Sequence, residues 1–287
     1  MFDSASPCDP APARQSSGPA IPGYVRGLSE VRAQFAMHGD TTSLARLYET
    51  GSLRLRMPRA HGRCEAVLLN TGGGIAGGDR QSTDIAAGPG AQVTVTSQAA
   101  EKIYRADCEP ATIAVRLSLD AAARLDWLPQ ETILHDGAGM TRTLDVDMAP
   151  DATLTVLEIV VFGRLARGEQ MTVGTLRDRW RIRRGGRLVV AEDVALSGAI
   201  ADHLDRPAIG GGARAVATLL HVAPQAQARL DAVRAALSDA ACLAGSSAWN
   251  GILIGRIAGA DPAAVRAAAA RAAIAATDAA QPRSWSC

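Results

Sequence analysis

The segment Asn70-Thr71-Gly72-Gly73-Gly74-Ile75-Ala76-Gly77-Gly78-Asp79-Arg80 packs five glycines into seven residues, directly after the apolar run Ala66-Val67-Leu68-Leu69. It constrains the fold because it meets a known pattern and then breaks it. Gly72, Gly74 and Gly77 spell G-x-G-x-x-G, the turn of a dinucleotide-binding unit when a helix follows. The helix is essential, since its free N-terminal N–H groups receive the phosphates. Here the chain continues through Thr83-Asp84-Ile85 to Gly88-Pro89-Gly90, and then to Gln92-Val93-Thr94-Val95-Thr96-Ser97, which alternates with period two and is rich in β-branched side chains. The glycines therefore join strand to strand. A Walker phosphate loop is excluded too, because Gly78-Asp79 stand where Lys-Ser/Thr must be. What remains is backbone that takes positive φ or admits another segment at close range, with Asp79 and Arg80 at its exit.

The same alternation recurs from Tyr24 to about Ile200, in residues 53–56, 93–96, 111–119, 144–146, 153–161, 180–183 and 188–192. Gly88-Pro89-Gly90, Pro150-Asp151 and Gly185-Gly186 mark turns between them. This predicts a mainly β body. The last third differs: residues 225–241 set Leu230, Val233 and Leu237 at helical spacing, Gly251-Ile252-Leu253-Ile254-Gly255 reads as a short strand, and Asp261-Pro262 opens a second helix to about Thr277 with Asp as N-cap. Residues 1–23, with Pro7, Pro10, Pro12 and Pro19, read as a disordered tail ahead of a single domain over 24–287, whose helix-containing part begins near residue 201.

A chain of 287 residues with 47% apolar residues buries a large core. Thirty basic residues against 29 acidic ones leave a formal charge of +1, so neither nucleic acid nor an anionic membrane is an expected partner. The five cysteines are scattered, with no C-x-x-C pair and no secretory signal ahead of them, which points to a cytoplasmic protein. No apolar run has the length of a membrane-spanning helix, since Glu158 interrupts the strongest one.

Catalytic constellations are poor. There is no G-x-S-x-G nucleophile elbow and no H-E-x-x-H helix. The histidines His38, His61, His135, His203 and His221 are scattered, and in a strand the neighbours His135 and Asp136 point to opposite faces. The acids carry more information. Asp79, Glu131, Asp136, Glu158 and Glu169 lie in or beside glycine-bearing or apolar segments, where an ionised carboxylate must be hydrogen-bonded, paired or wet. Glu158, inside Leu154-Thr155-Val156-Leu157-Glu158-Ile159-Val160-Val161, is the extreme case. It reads either as a charge-paired acid, with Arg164, Arg167 or Arg105 as partner, or with the other four as the lining of an internal polar passage.

Four stretches, residues 70–80, Ser97-Gln98-Ala99-Ala100-Glu101-Lys102-Ile103-Tyr104-Arg105, Trp127-Leu128-Pro129-Gln130-Glu131-Thr132-Ile133-Leu134-His135-Asp136-Gly137-Ala138 and Phe162-Gly163-Arg164-Leu165-Ala166-Arg167-Gly168-Glu169, come in an order that resembles the urease accessory protein family UreD, also called UreH. Residues 48–54, 247–251 and 281–285 extend the likeness to roughly 24–287. One departure is Thr71-Gly72, where the family usually has prolines before the glycines. The resemblance implies strands wound superhelically with two helices near the C-terminus. It also implies a non-enzymatic role: binding apo-urease together with UreF, a helical accessory protein, and UreG, a GTPase, to load nickel. No stably bound cofactor is implied, only transient Ni²⁺, which carboxylates hold weakly enough to release. On this reading Asp79, Glu131, Asp136, Glu158 and Glu169 line a nickel passage, and Trp249 and Trp285 contact the helical partner, Trp285 being either an exposed contact or the anchor of a docked tail. Rival readings are a nucleotide-dependent oxidoreductase built on the glycine loop and a hydrolase using Glu131 and Glu158 as acid and base. A scaffold with no metal route shares every feature of the preferred reading.

Overall fold

A computed structural model describes residues 26–58, 63–277 and 279–286. The expected tail at 1–23 and His61 lie outside them. The chain opens with an antiparallel hairpin, β1 (Leu28–His38) and β2 (Thr41–Thr50), followed by the antiparallel pair β3 (Leu53–Arg56) and β4 (Cys64–Asn70). It then alternates between two sheets through β5 (Arg80–Ala87), β6 (Gln92–Ser97), the short β7 (Glu101–Ile103), β8 (Ala111–Leu119), β9 (Arg124–Leu128), the short β10 (Thr132–Leu134), β11 (Gly139–Met148), β12 (Thr153–Phe162) and β13 (Val173–Arg184). Each long strand returns beside, and parallel to, the strand one coil earlier. Cys64 pairs with Val93, Gln92 with Arg124 and Arg124 with Thr153 in one sheet; Arg80 pairs with Thr112, Ala111 with Met140 and Gly139 with Thr175 in the other. This is the wound β-structure that the sequence resemblance implied. The C-terminal part adds β14 (Arg187–Ala199), α1 (Ile200–Asp205), β15 (Ala215–Val222), α2 (Leu230–Leu237), β16 (Leu243–Trp249), β17 (Ile252–Gly259) and α3 (Pro262–Thr277). The finished sheets run β14-β13-β11-β8-β5-β1-β2 and β16-β17-β15-β12-β9-β6-β4-β3, with β10 beside β12 and β7 beside β10.

Alternation decides which face each strand buries. On β13, Leu176, Asp178, Trp180 and Ile182 face inward while Arg177 and Arg179 stay in water. The space between the sheets holds two apolar clusters, one around Leu144, Val156, Trp127 and Trp180, the other around Met140, Val160, Phe162 and Leu176. A third cluster lies on the opposite face of the ten-stranded sheet, where Leu157, Ile159 and Val161 meet α2 and α3. Alanines 268, 269, 272 and 273 of α3 are buried there, and their small size lets the helix lie close to the strands. Asp261 caps α3 through the Ala263 N–H at 2.9 Å, as Asp-Pro predicts.

Three local differences have physical causes. The helix expected over 225–241 is a 3₁₀ turn at Ala226–Arg229 followed by the shorter α2, although Val233 and Leu237 are buried as their spacing required. Helix α1 escaped notice because six residues with only Ile200 and Leu204 buried give too little periodicity to read. Strand β16 is an exposed edge, so its Leu-Ala-Gly-Ser-Ser-Ala-Trp carries no apolar alternation.

Candidate functional site

A charged layer interrupts the interlayer core. On β11, Arg142 stands between Met140 and Leu144; on β13, Asp178 stands between Leu176 and Trp180; on β12 of the facing sheet, Glu158 stands between Val156 and Val160. The flanking residues belong to the two separate apolar clusters, so this polar layer divides them. Register sets Arg142 directly beside Asp178. Its Nε donates to Asp178 Oδ1 at 3.1 Å and its Nη2 to Asp178 Oδ2 at 2.5 Å, while Nη1 reaches across to Glu158 Oε2. The indole N–H of Trp127 donates to Glu158 Oε1 at 2.8 Å, and that of Trp180 to Asp178 Oδ1 at 3.0 Å.

Each carboxylate oxygen is thus hydrogen-bonded, yet two acids share one guanidinium. All three residues are buried, so their desolvation is expensive and any imbalance of charge is felt strongly. Burial pushes the Glu158 carboxyl above its usual range despite Arg142. Burial opposes the charge on Arg142 as well, but the two carboxylates outweigh it and raise the guanidinium further.

Two cavities adjoin this layer. One, of about 550 Å³, lies between the edges of the sheets and is walled by Phe162, Leu176, Leu196, Val216 and Ile257, with Arg142, Glu158 and Asp178 at its inner end. Its rim includes Ile209 and Leu243, 54% and 74% exposed. The second, of about 210 Å³, runs from Gly73, Asn70 and Glu101 near the glycine loop to Trp127, Arg142 and Glu158. The Arg142–Glu158 pair is a wall of both. On the inner face of the seven-stranded sheet the row Gln81, Ile113, Arg142, Asp178, Val194 crosses from one cavity to the other, side by side in register. On the ten-stranded sheet, Glu158 continues into Thr218 and Arg256. Arg256 donates to Thr218 Oγ1 at 2.8 Å and pairs with Glu192 at 2.5 Å.

The partner of Glu158 is therefore Arg142, not Arg164, Arg167 or Arg105. Arg164 follows the end of β12, beyond reach of the layer, and binds Glu169 instead. The other expected acids sit elsewhere. Asp79 closes the glycine loop, accepting from Gly27 N at 2.7 Å and Ala76 N at 2.9 Å. Asp136 accepts from the Thr172 hydroxyl and the Thr172 and Val173 amides, and the Thr172 hydrogen bond holds it below the usual range. Glu169 is lowered by Arg164 and accepts from Asp136 N at 3.3 Å. Glu131 lies on the other face of the ten-stranded sheet, in a groove with Ile159, Val161, Arg266 and Trp285, with Oε2 3.3 Å from Arg266 Nε. Glu131 and Glu158 thus cannot flank one bond as acid and base. Among the described residues no three His, Cys, Asp or Glu side chains are grouped to hold one metal ion.

The glycine loop serves close approach. A Cβ on Gly74 would come 2.4 Å from the Tyr104 ring and one on Gly77 2.7 Å from the backbone at Ala106 and Glu109, while Tyr104 Oη donates to Gly73 O at 2.8 Å. Strand β5 follows the loop, so no helix N-terminus meets a pyrophosphate there. Trp249, on edge strand β16, is 45% exposed. Trp285 is instead a docked anchor, buried, with Nε1 3.0 Å from Thr96 Oγ1 and 3.2 Å from Leu128 O. On the helix side of the sheet, His221 Nδ1 lies 3.0 Å from Thr155 Oγ1, and burial lowers this imidazole to about 4.

Sequence reasoning missed Arg142 and Asp178. The signal was present: in Met140-Thr141-Arg142-Thr143-Leu144 and Leu176-Arg177-Asp178-Arg179-Trp180 a charge occupies the apolar phase of the alternation.

The chain matches the family model of the UreD urease accessory protein over residues 27–286. It is 54% identical over 239 residues to a urease accessory protein UreD of Methylobacterium sp. (strain 4-46), covering 81% of this chain and 85% of that protein. It is 46% identical over 287 residues to the one of Xanthobacter autotrophicus, covering 99% of both. A match of this extent, over the charged layer, the glycine loop and the docked tail alike, means that the chain belongs to the UreD family of urease accessory proteins.

Proposed function

We propose that this protein is a urease maturation factor of the cytoplasm. It binds apo-urease with a UreF-like helical partner and a UreG-like GTPase, and it passes Ni²⁺ to the urease site between its two sheets. The observation that carries the metal route is the buried charged layer with a cavity on each side, one reaching the glycine loop and the other the far sheet edges. Nickel is cargo on this reading, and oxygen ligands suit cargo because they hold it less tightly than imidazole or thiolate. Glu158 is the passage acid; Asp79, Asp136 and Glu169 stabilise loops, and Glu131 belongs to the α3 groove. Trp249 is the exposed contact for the helical partner. The chain itself catalyses no reaction in this scheme.

Coexpression with a urease operon tests both halves. Pull-down measures assembly, and metal analysis of the resulting urease measures delivery. Glu158→Gln is expected to assemble normally and deliver less nickel. Full nickel loading by a folded, assembled variant would refute the route and leave a scaffold.

A further inference from the structure

We infer that Arg142 is a displaceable counter-cation which plugs the interlayer passage, and that a divalent cation crosses by taking its place between Glu158 and Asp178. This rests on the reading of the cavities as a metal route and names the element that controls it.

The gap between the two acids already holds a cation. Arg142 Nη1 binds Glu158 Oε2 and Nη2 binds Asp178 Oδ2, so these two oxygens converge on one guanidinium. A single positive charge leaves one surplus negative charge when both acids are ionised, in a layer bounded by apolar clusters. A divalent cation in the same gap cancels both charges. A monovalent cation gains nothing over the arginine, a neutral molecule gains nothing at all, and an anion is repelled. The plug is therefore a charge filter as well as a stopper.

The acids are built to stay in place when the plug moves. Trp127 holds the other Glu158 oxygen, Oε1, and Trp180 holds Asp178 Oδ1, which it shares with Arg142 Nε, the two indoles coming from opposite sheets. Both indoles are buried, so their hydrogen bonds outlast the departure of the guanidinium. The side chain of Arg142 also has somewhere to go: it lines the cavity of about 550 Å³. Arg256, which lines that cavity, is already paired with a carboxylate, Glu192, in register beside Trp180 on β14. Release of the ion follows from the same exchange, because the tethered arginine competes for the two oxygens at high local concentration.

Nickel chloride titrated into the full chain, purified with its partners, tests this directly, because Ni²⁺ beside Trp127 and Trp180 quenches indole fluorescence. Arg142→Met removes the competitor and is expected to tighten the quenching midpoint roughly tenfold or more. Glu158→Gln combined with Asp178→Asn is expected to abolish that saturable quenching in either background. If Arg142→Met fails to fold, Arg142→Lys, which keeps the charge but loses the fork that spans both acids, should still tighten binding. An unchanged midpoint in a folded Arg142 variant, or saturable quenching that survives loss of both acids, overturns the plug. Nickel loading of urease separates the two layers of the argument. If Glu158→Gln impairs loading while Arg142 variants bind Ni²⁺ no tighter, the plug fails and the passage stands. If Arg142→Met binds tighter while Glu158→Gln loads urease fully, the exchange site stands and the passage fails.

Discussion

Arg142 and Glu158 form one ion pair, yet replacing them is expected to have unequal effects. With Arg142→Met, the apolar side chain fills similar volume but leaves Glu158 and Asp178 facing each other in the buried layer with only the two indoles as partners. Breaking a buried pair in this way costs about 3–5 kcal/mol. At about 2–4 °C per kcal/mol for a chain approaching this size, the melting temperature falls by roughly 6–20 °C. Glu158→Gln keeps the two-pronged Arg142–Asp178 pair and removes the surplus charge, so it costs only the mismatched hydrogen bond, about 1–3 kcal/mol. The two losses also differ in their response to acid. Burial already raises Glu158, and without the guanidinium, which lowers it, it rises further. A carboxyl raised in the folded state favours folding when protonated and penalises it once pH climbs through the folded value. The deficit of Arg142→Met should therefore be large near about pH 8 and shrink toward about pH 5, whereas that of Glu158→Gln should vary less. Thermal melts followed by circular dichroism across that range provide the check. A variant lacking Arg142 that melts with the wild type, or one whose deficit is the same at both ends, would refute the account of the charged layer.

Other outcomes follow from single contacts. His221, held near 4 against 6.5 in the unfolded chain, contributes stability that is complete above about 6.5 and lost as pH falls toward about 4, worth about 3 kcal/mol. Denaturant melts of His221→Gln should show a shallower acid decline, and an unchanged slope argues against it. Trp285→Ala empties a buried site and breaks the contacts to Thr96 and Leu128, for a loss of about 3–5 kcal/mol in urea unfolding; a loss under 1 kcal/mol, to order of magnitude, would mean the tail is not docked. Gly77→Ala pushes a methyl against backbone at 2.7 Å and should cost about 1–3 kcal/mol or more, whereas Gly39→Ala meets nothing and pays only for its positive φ, about 1–2 kcal/mol. Trp249→Ala should shift stability by no more than about 0.5 kcal/mol while weakening pull-down of the UreF-like partner; undiminished capture would remove Trp249 from the contact surface.

The mainly β character was readable because long strands such as β8 and β13 carry one buried face, and period two survives wherever one face is wet and the other dry. The direction of pairing was not readable from periodicity. Parallel return of β6 beside β4, or of β11 beside β8, depends on contacts between residues far apart in sequence, and only the resemblance to a family pointed to the winding. At the site, Glu158 stood out because it breaks an all-apolar strand. Arg142 and Asp178 did not, since charge is frequent on the exposed phase of the same strands and only the phase distinguishes them. The grouping of Asp79, Glu131, Asp136, Glu158 and Glu169 as candidates rested on their neighbours in sequence. Turns take glycine beside a capping acid for reasons of local geometry, and that is how Asp79 comes to hold the Gly27 and Ala76 amides.

The covering of the ten-stranded sheet by α3 and the docked tail sets an order of events during synthesis. Each parallel coil can settle on the previous one as the chain emerges, so the wound body grows from its N-terminal end. The opposite face of β9, β12 and β15 has no such gradual partner. Leu157, Ile159 and Val161 stay bare until residues 262–285 arrive, and the final clasp joins Trp285 to Thr96 and Leu128, residues made long before. The nascent chain is thus most adhesive while α3 and Trp285 are still to come. Without α3 and Trp285 the folded body would keep the sticky surface of an unfinished one.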